Sequence, residues 1–74
     1  MNLDSILYKI SKVIGDIPTH LIFDKVADGC RHYKVYKDEQ LICRARIKGN
    51  VMEIYRRGKY IGKEYLNKEE LAKL

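Results

Sequence analysis

Two cysteines among 74 residues can close at most one disulfide, too few for a disulfide scaffold. No apolar run is long enough to span a membrane. Met1-Asn2-Leu3-Asp4 shows no basic segment leading into an apolar stretch, the pattern of a signal peptide. The expected location is therefore cytoplasmic, with Cys30 and Cys43 as reduced thiols. Internal repeats and low-complexity segments are also absent, which excludes repeat arrays.

Catalytic and metal-binding patterns are missing too. Glycines 15, 29, 49, 58 and 62 stand between candidate elements and form no G-x-x-x-x-G-K-[ST] loop. Cys30, His32, Cys43 and His20 lack the paired C-x₂-C spacing of structural zinc sites. Ser5, Ser11 and Thr19 have only His20 as a nearby base, and the acids are dispersed. No enzyme, cofactor or metal is expected. His32 could act as a general acid or base in a small ribonuclease, but a surface or phosphate contact accounts for it more simply.

A chain of this length fills one core, so residues 1–74 read as one domain. Its net charge of +5 is unevenly placed. Residues 30–66 carry ten Lys/Arg against four acids, whereas residues 1–29 carry three lysines against four aspartates. Five of the six tyrosines (Tyr33, Tyr36, Tyr55, Tyr60 and Tyr65) lie in the same basic block. Cations interleaved with aromatics form the composition of a polyanion-binding surface. The alternative is an ordinary solvated, lysine-rich surface.

Leu3, Ile6, Leu7, Ile10, Val13, Ile14 and Ile17 recur at helical spacing and predict an amphipathic helix. Asn2 or Asp4 would cap it, and Gly15 with Pro18 would end it between Gly15 and Ile17. Strands are predicted over residues 20–26, 30–37, 41–48 and 51–57, with a short fifth strand beginning at Tyr60-Ile61. Asp28-Gly29, Gly49-Asn50 and Arg57-Gly58 supply turn chemistry, and residues 38–40 form a polar break. Asn67 with Glu70 resembles a capping box for a final short helix, stapled by Leu66 and Leu71. The expected fold is α+β: an N-terminal helix on an antiparallel meander of four to five short strands, then a short C-terminal helix.

Turn lengths set which side chains share a face. A two-residue Gly49-Asn50 turn places Lys48 opposite Val51, Arg46 opposite Glu53 and Arg44 opposite Tyr55. The other face pairs Ile47 with Met52 and Ala45 with Ile54, and carries Leu41 and Cys43. The Arg57-Gly58 turn pairs Tyr55 with Tyr60 and Ile54 with Ile61. An odd-length loop at 38–40 buries Tyr33 and Val35, and the Asp28-Gly29 hairpin sets Ile22 opposite Val35. Arg56 then points towards the buried side and has to escape at the sheet edge.

The resulting open face carries His32, Lys34, Tyr36, Arg44, Arg46, Lys48, Tyr55, Arg57 and Tyr60, with Glu53 as its acid. Such a face suits DNA or RNA, with Lys34, Arg44, Arg46, Lys48 and Arg57 on phosphates and Tyr36 and Tyr55 against sugar or base. The bland reading pairs Arg46 with Glu53 and lays Arg44 over Tyr55 as ordinary cross-strand contacts. A second functional reading is a protein-interaction module, a small inhibitor or regulator that binds an acidic partner surface. Exposed edge strands would also allow a homodimer.

Overall fold

The computed structural model describes residues 3–74. The elements run α1 (Asp4–Ile14), β1 (His20–Ala27), β2 (Cys30–Lys37), β3 (Gln40–Lys48), β4 (Val51–Arg56), β5 (Lys59–Tyr65) and α2 (Lys68–Ala72). The strands form one antiparallel sheet in the order β1-β2-β3-β4-β5. This is the expected α+β layout, with a longer fifth strand than the sequence suggested.

The apolar stripe of α1 buries Ile6, Ile10 and Ile14, and Leu3 and Val13 flank them. Each fully buried isoleucine contributes about 1.5–3 kcal/mol relative to exposure. Gly15 ends the helix in the left-handed conformation, with its N–H donating to the Ser11 carbonyl at 2.9 Å. Ile17 therefore falls outside the stripe and is 74% exposed. The N-cap is Leu3, without a side-chain cap; Asp4 is the first helical residue, where its charge suits the helix dipole. The alternative cap, Asn2, lies outside the described residues.

Under α1 lie Tyr33, Val35, Cys43, Ala45, Ile47, Met52 and Ile54, the alternating inward set of β2, β3 and β4. The helix runs nearest β5, and Gly62 makes that approach possible. A Cβ on Gly62 would stand 2.8 Å from Val13 Cγ1. The second helix is closed by the predicted capping box. Asn67 Oδ1 accepts from the Glu70 N–H at 2.8 Å, and Glu70 Oε1 accepts from the Asn67 N–H at 2.9 Å. Leu66 is buried in the core and Leu71 packs against it.

The register between β3 and β4 is the predicted one throughout, from Arg44–Tyr55 to Lys48–Val51. Elsewhere three bulges alter the pairing. The β2–β3 turn is the even, two-residue Asp38-Glu39, with Lys37 paired to Gln40. An extra residue, Ile42, then restores the parity that buries Val35 and Tyr33. The buried set is as expected, but a bulge produces it instead of an odd loop. The same shift pairs Leu41 with Tyr36 and leaves it 40% exposed, so Leu41 does not join Cys43 on the buried face.

On β1 the unpaired Asp24 moves Leu21 opposite Val35 and Ile22 opposite Lys34. Ile22 therefore shares the face of Lys34 and is half-exposed, contrary to its expected pairing with Val35. On β5 the extra residue is Ile61. Ile54 pairs with Gly62, the smaller neighbour that admits α1, while Tyr55 still meets Tyr60.

Candidate nucleic-acid interface

The face of the sheet turned away from α1 is built from two long cross-strand rows. One runs Lys25, His32, Arg46, Glu53, Lys63 across β1 to β5; the next runs Ile22, Lys34, Arg44, Tyr55, Tyr60. Neighbouring strands lie about 4.8 Å apart, so each row brings its side chains into direct contact range. Tyr36 occupies a further position beside Leu41 and stacks on His20, with ring centroids 5.2 Å apart and planes within 3°.

Arg46 is the most constrained cation of the face. Its Nε and Nη2 donate to Glu53 Oε1 at 3.0 and 2.6 Å, and Nη2 also donates to the Tyr55 hydroxyl at 2.8 Å. The guanidinium lies over the Tyr55 ring, 5.2 Å from its centroid. These hydrogen bonds hold both partners in their charged forms, with Glu53 below the ordinary carboxylate range and Arg46 raised further. Arg44 faces Asp24 Oδ2 at 3.6 Å and remains about half exposed. The Asp24 bulge thus supplies a counter-charge from two strands away.

Arg44, Arg46, Tyr55 and Arg57 come together around one open hollow of about 650 Å³. Leu41, Ile42 and Gly58 also line it, as do Asp16, Arg56, Cys43 and Ala45, so the hollow reaches past the open face towards α1 and includes one carboxylate. Arg57 reaches the hollow from the β4–β5 turn and not from a strand, with φ of 54° beside Gly58 at 78°. Two successive positive φ angles are the signature of a type I′ turn. Lys34 and Tyr36 lie on the same face outside the lining, and exposed Lys48 sits far along β3 beside the Gly49-Asn50 turn. The sequence-predicted set is therefore divided: four residues surround one hollow, and three extend the face beyond it.

Arg56 points to the helix side as the register required, and it escapes at the edge. Its Nη2 donates to the Ile14 carbonyl at 3.4 Å, where a cation meets the negative end of the α1 dipole. His32 is half-buried, with Nε2 at 3.2 Å from the Ala27 carbonyl. Sequence reasoning overlooked Lys25 and Lys63 on the open face, the Asp24 counter-ion, and Leu41 and Ile42 in the hollow. Lys25 follows from extending the alternation through the Asp28-Gly29 hairpin, whereas Lys63 reaches this face only because the Ile61 bulge shifts β5 by one residue. Asp24, Leu41 and Ile42 depend on bulges as well.

Cys43 lies in the core, and burial pushes its thiol up to about 11, so it is a neutral packing residue. Cys30 is buried at the start of β2, with Sγ near the Asp28 carbonyl. Among the described residues no three His, Cys, Asp or Glu side chains gather as a metal site, and no helix is long and apolar enough to cross a membrane. No protein-family model matches the chain, and neither a curated protein nor a solved structure shows significant similarity to it.

Proposed function

We propose that this protein binds nucleic acid through the open face of its sheet, acting by contact and without catalysis. One observation carries the reading: Arg44, Arg46, Arg57 and Tyr55 converge on a single hollow, with Lys34 and Lys25 on the same face. Arginine forks match phosphate oxygens and tyrosine rings match base or sugar, so the lining suits a polyanion that carries aromatic groups. Lys48 and Lys63 extend the positive field along the sheet. This reading fits a cytoplasmic setting.

The test is an electrophoretic mobility shift at low salt with DNA and RNA probes, comparing the natural protein with an Arg44→Ala/Arg57→Ala variant. Both side chains are exposed, so the fold should survive the change. Binding that weakens at least tenfold supports the face. Absence of binding to either polymer, or an unchanged variant, overturns it.

A protein partner is the second reading, favoured by the edge strand β1. Ile22, Phe23 and Val26 are 47%, 52% and 66% exposed along a strand that, among the described residues, has no strand neighbour on its outer side. In this reading the protein is a small regulator that binds an acidic partner with the basic face, or a homodimer paired through its edges. Pull-downs from nuclease-treated lysate separate the readings, because partners bridged by nucleic acid disappear. Sedimentation velocity tests the homodimer.

A further inference from the structure

We infer that the nucleic acid taken by this face is single-stranded, with one base seated in the hollow beside Leu41 and Tyr55 and a neighbouring base stacked on Tyr60. The inference rests on the nucleic-acid reading above and narrows its ligand.

A duplex offers a protein surface mainly phosphates, and purely phosphate-driven binding needs cations that are free to replace counterions. Two of the arginines on the face already have carboxylates: Glu53 Oε1 lies 2.6 Å from Arg46 Nη2, and Asp24 Oδ2 lies 3.6 Å from Arg44 Nη1. The face is therefore less cationic in effect than its residue count, and another attraction has to contribute.

Apolar and aromatic surface lies among those charges. Leu41, Ile42 and Tyr55 line the same hollow as the arginines, and its volume of about 650 Å³ is ample for one nucleotide. Tyr60 is 51% exposed on the adjacent strand, with its ring edge-on to Tyr55 at a centroid distance of 5.8 Å. In a duplex the base faces are stacked on each other, leaving Tyr60 and the hollow nothing to pack against. In a single strand the faces are free, and stacking on aromatic side chains tolerates any sequence. Arg44 and Arg57 flank the hollow, where they can hold the phosphates next to a seated base.

The experiment titrates the protein into fluorescent oligo-dT, oligo-U and a blunt hairpin duplex at low salt, read by anisotropy. The first two arms separate DNA from RNA. Single strands should bind at least about tenfold tighter than the duplex. Tyr60→Ala should weaken single-strand binding about fivefold or more and leave the duplex unchanged, whereas Tyr60→Phe should retain single-strand binding. The chain has no tryptophan, so quenching of tyrosine fluorescence by oligo-dT in the unaltered protein reports stacking without any substitution.

A duplex bound as tightly as single strands, with no tyrosine quenching, overturns the inference and leaves the basic-face reading standing. Failure of every probe to bind overturns both. Equal losses for Tyr60→Ala on single strand and duplex overturn the stacking role.

Discussion

Arg46 gives two hydrogen bonds to a single carboxylate oxygen of Glu53, across a directly opposed pair of β3 and β4. The most central arginine of the basic face is thereby neutralised before any ligand arrives. Replacing Glu53 with glutamine removes that charge and preserves the side-chain shape. Glu53→Gln should bind nucleic acid severalfold more tightly at low salt, with a log–log salt slope steeper by about 0.7 on single strands. Fluorescence anisotropy across a salt series measures both quantities. Unchanged affinity would mean that Arg46 serves the sheet alone.

If about five phosphates are neutralised, the natural protein should show a salt slope of about −4 to −5 on duplex DNA. Arg44→Ala should lower the magnitude of that slope by about one. A slope near zero would contradict electrostatic contact by this face.

Gly62 and Val13 determine how closely α1 can approach β5. Gly62→Ala introduces a methyl group 2.8 Å from Val13 Cγ1, an overpacking of the kind that costs about 1–3 kcal/mol. For a domain of this size each kcal/mol lowers the melting temperature by about 4–8 °C. Trimming the opposing side chain in Gly62→Ala/Val13→Ala should recover part of the loss. Thermal circular dichroism of the three variants forms a double-mutant cycle, and strict additivity would show that the contact is not the cause.

Acid should destabilise the fold through specific carboxylates. For Glu70, burial alone would raise the pKa, but bonds from Lys9, the Asn67 N–H and Ser5 outweigh it and bring the value below 4.5. The hydrogen bond from Lys37 lowers Asp16 below 3.8. A depressed folded-state pKa means the stabilisation is complete above the unfolded value and is lost as pH falls through the folded one. Stability should therefore be flat from neutrality down to about pH 5 and then decline. Glu70→Gln should be less stable than the natural protein at neutral pH, with the gap closing in acid. Urea unfolding at several pH values reads this, and a gap independent of pH would rule it out.

Both thiols should resist alkylation in the native state. Cys43 is 4% exposed with its pKa pushed up to about 11, and Cys30 is 5% exposed. Iodoacetamide labelling followed by mass spectrometry should modify them only once denaturant unfolds the chain. Rapid native labelling of Cys43 would place it outside the core.

The sequence by itself determined the helix–meander–helix order, the β3–β4 register and the sorting of Arg44, Arg46 and Lys48 from Ala45, Ile47 and Cys43. These features rest on local rules: helical spacing, alternation with period two, and turns such as Gly49-Asn50 that fix parity between adjacent strands. Tertiary structure decided where parity is broken. Nothing local distinguishes Ile42 or Ile61 from the paired isoleucines, because a bulge is defined by how a strand meets its neighbour and not by the residue that carries it. Those bulges exposed Leu41, set Gly62 under Val13 and brought Asp24 to Arg44. The cationic face was legible because charge and alternation are written residue by residue. Which of its cations are already paired was not legible, because the pairs are made by side-chain reach across strands.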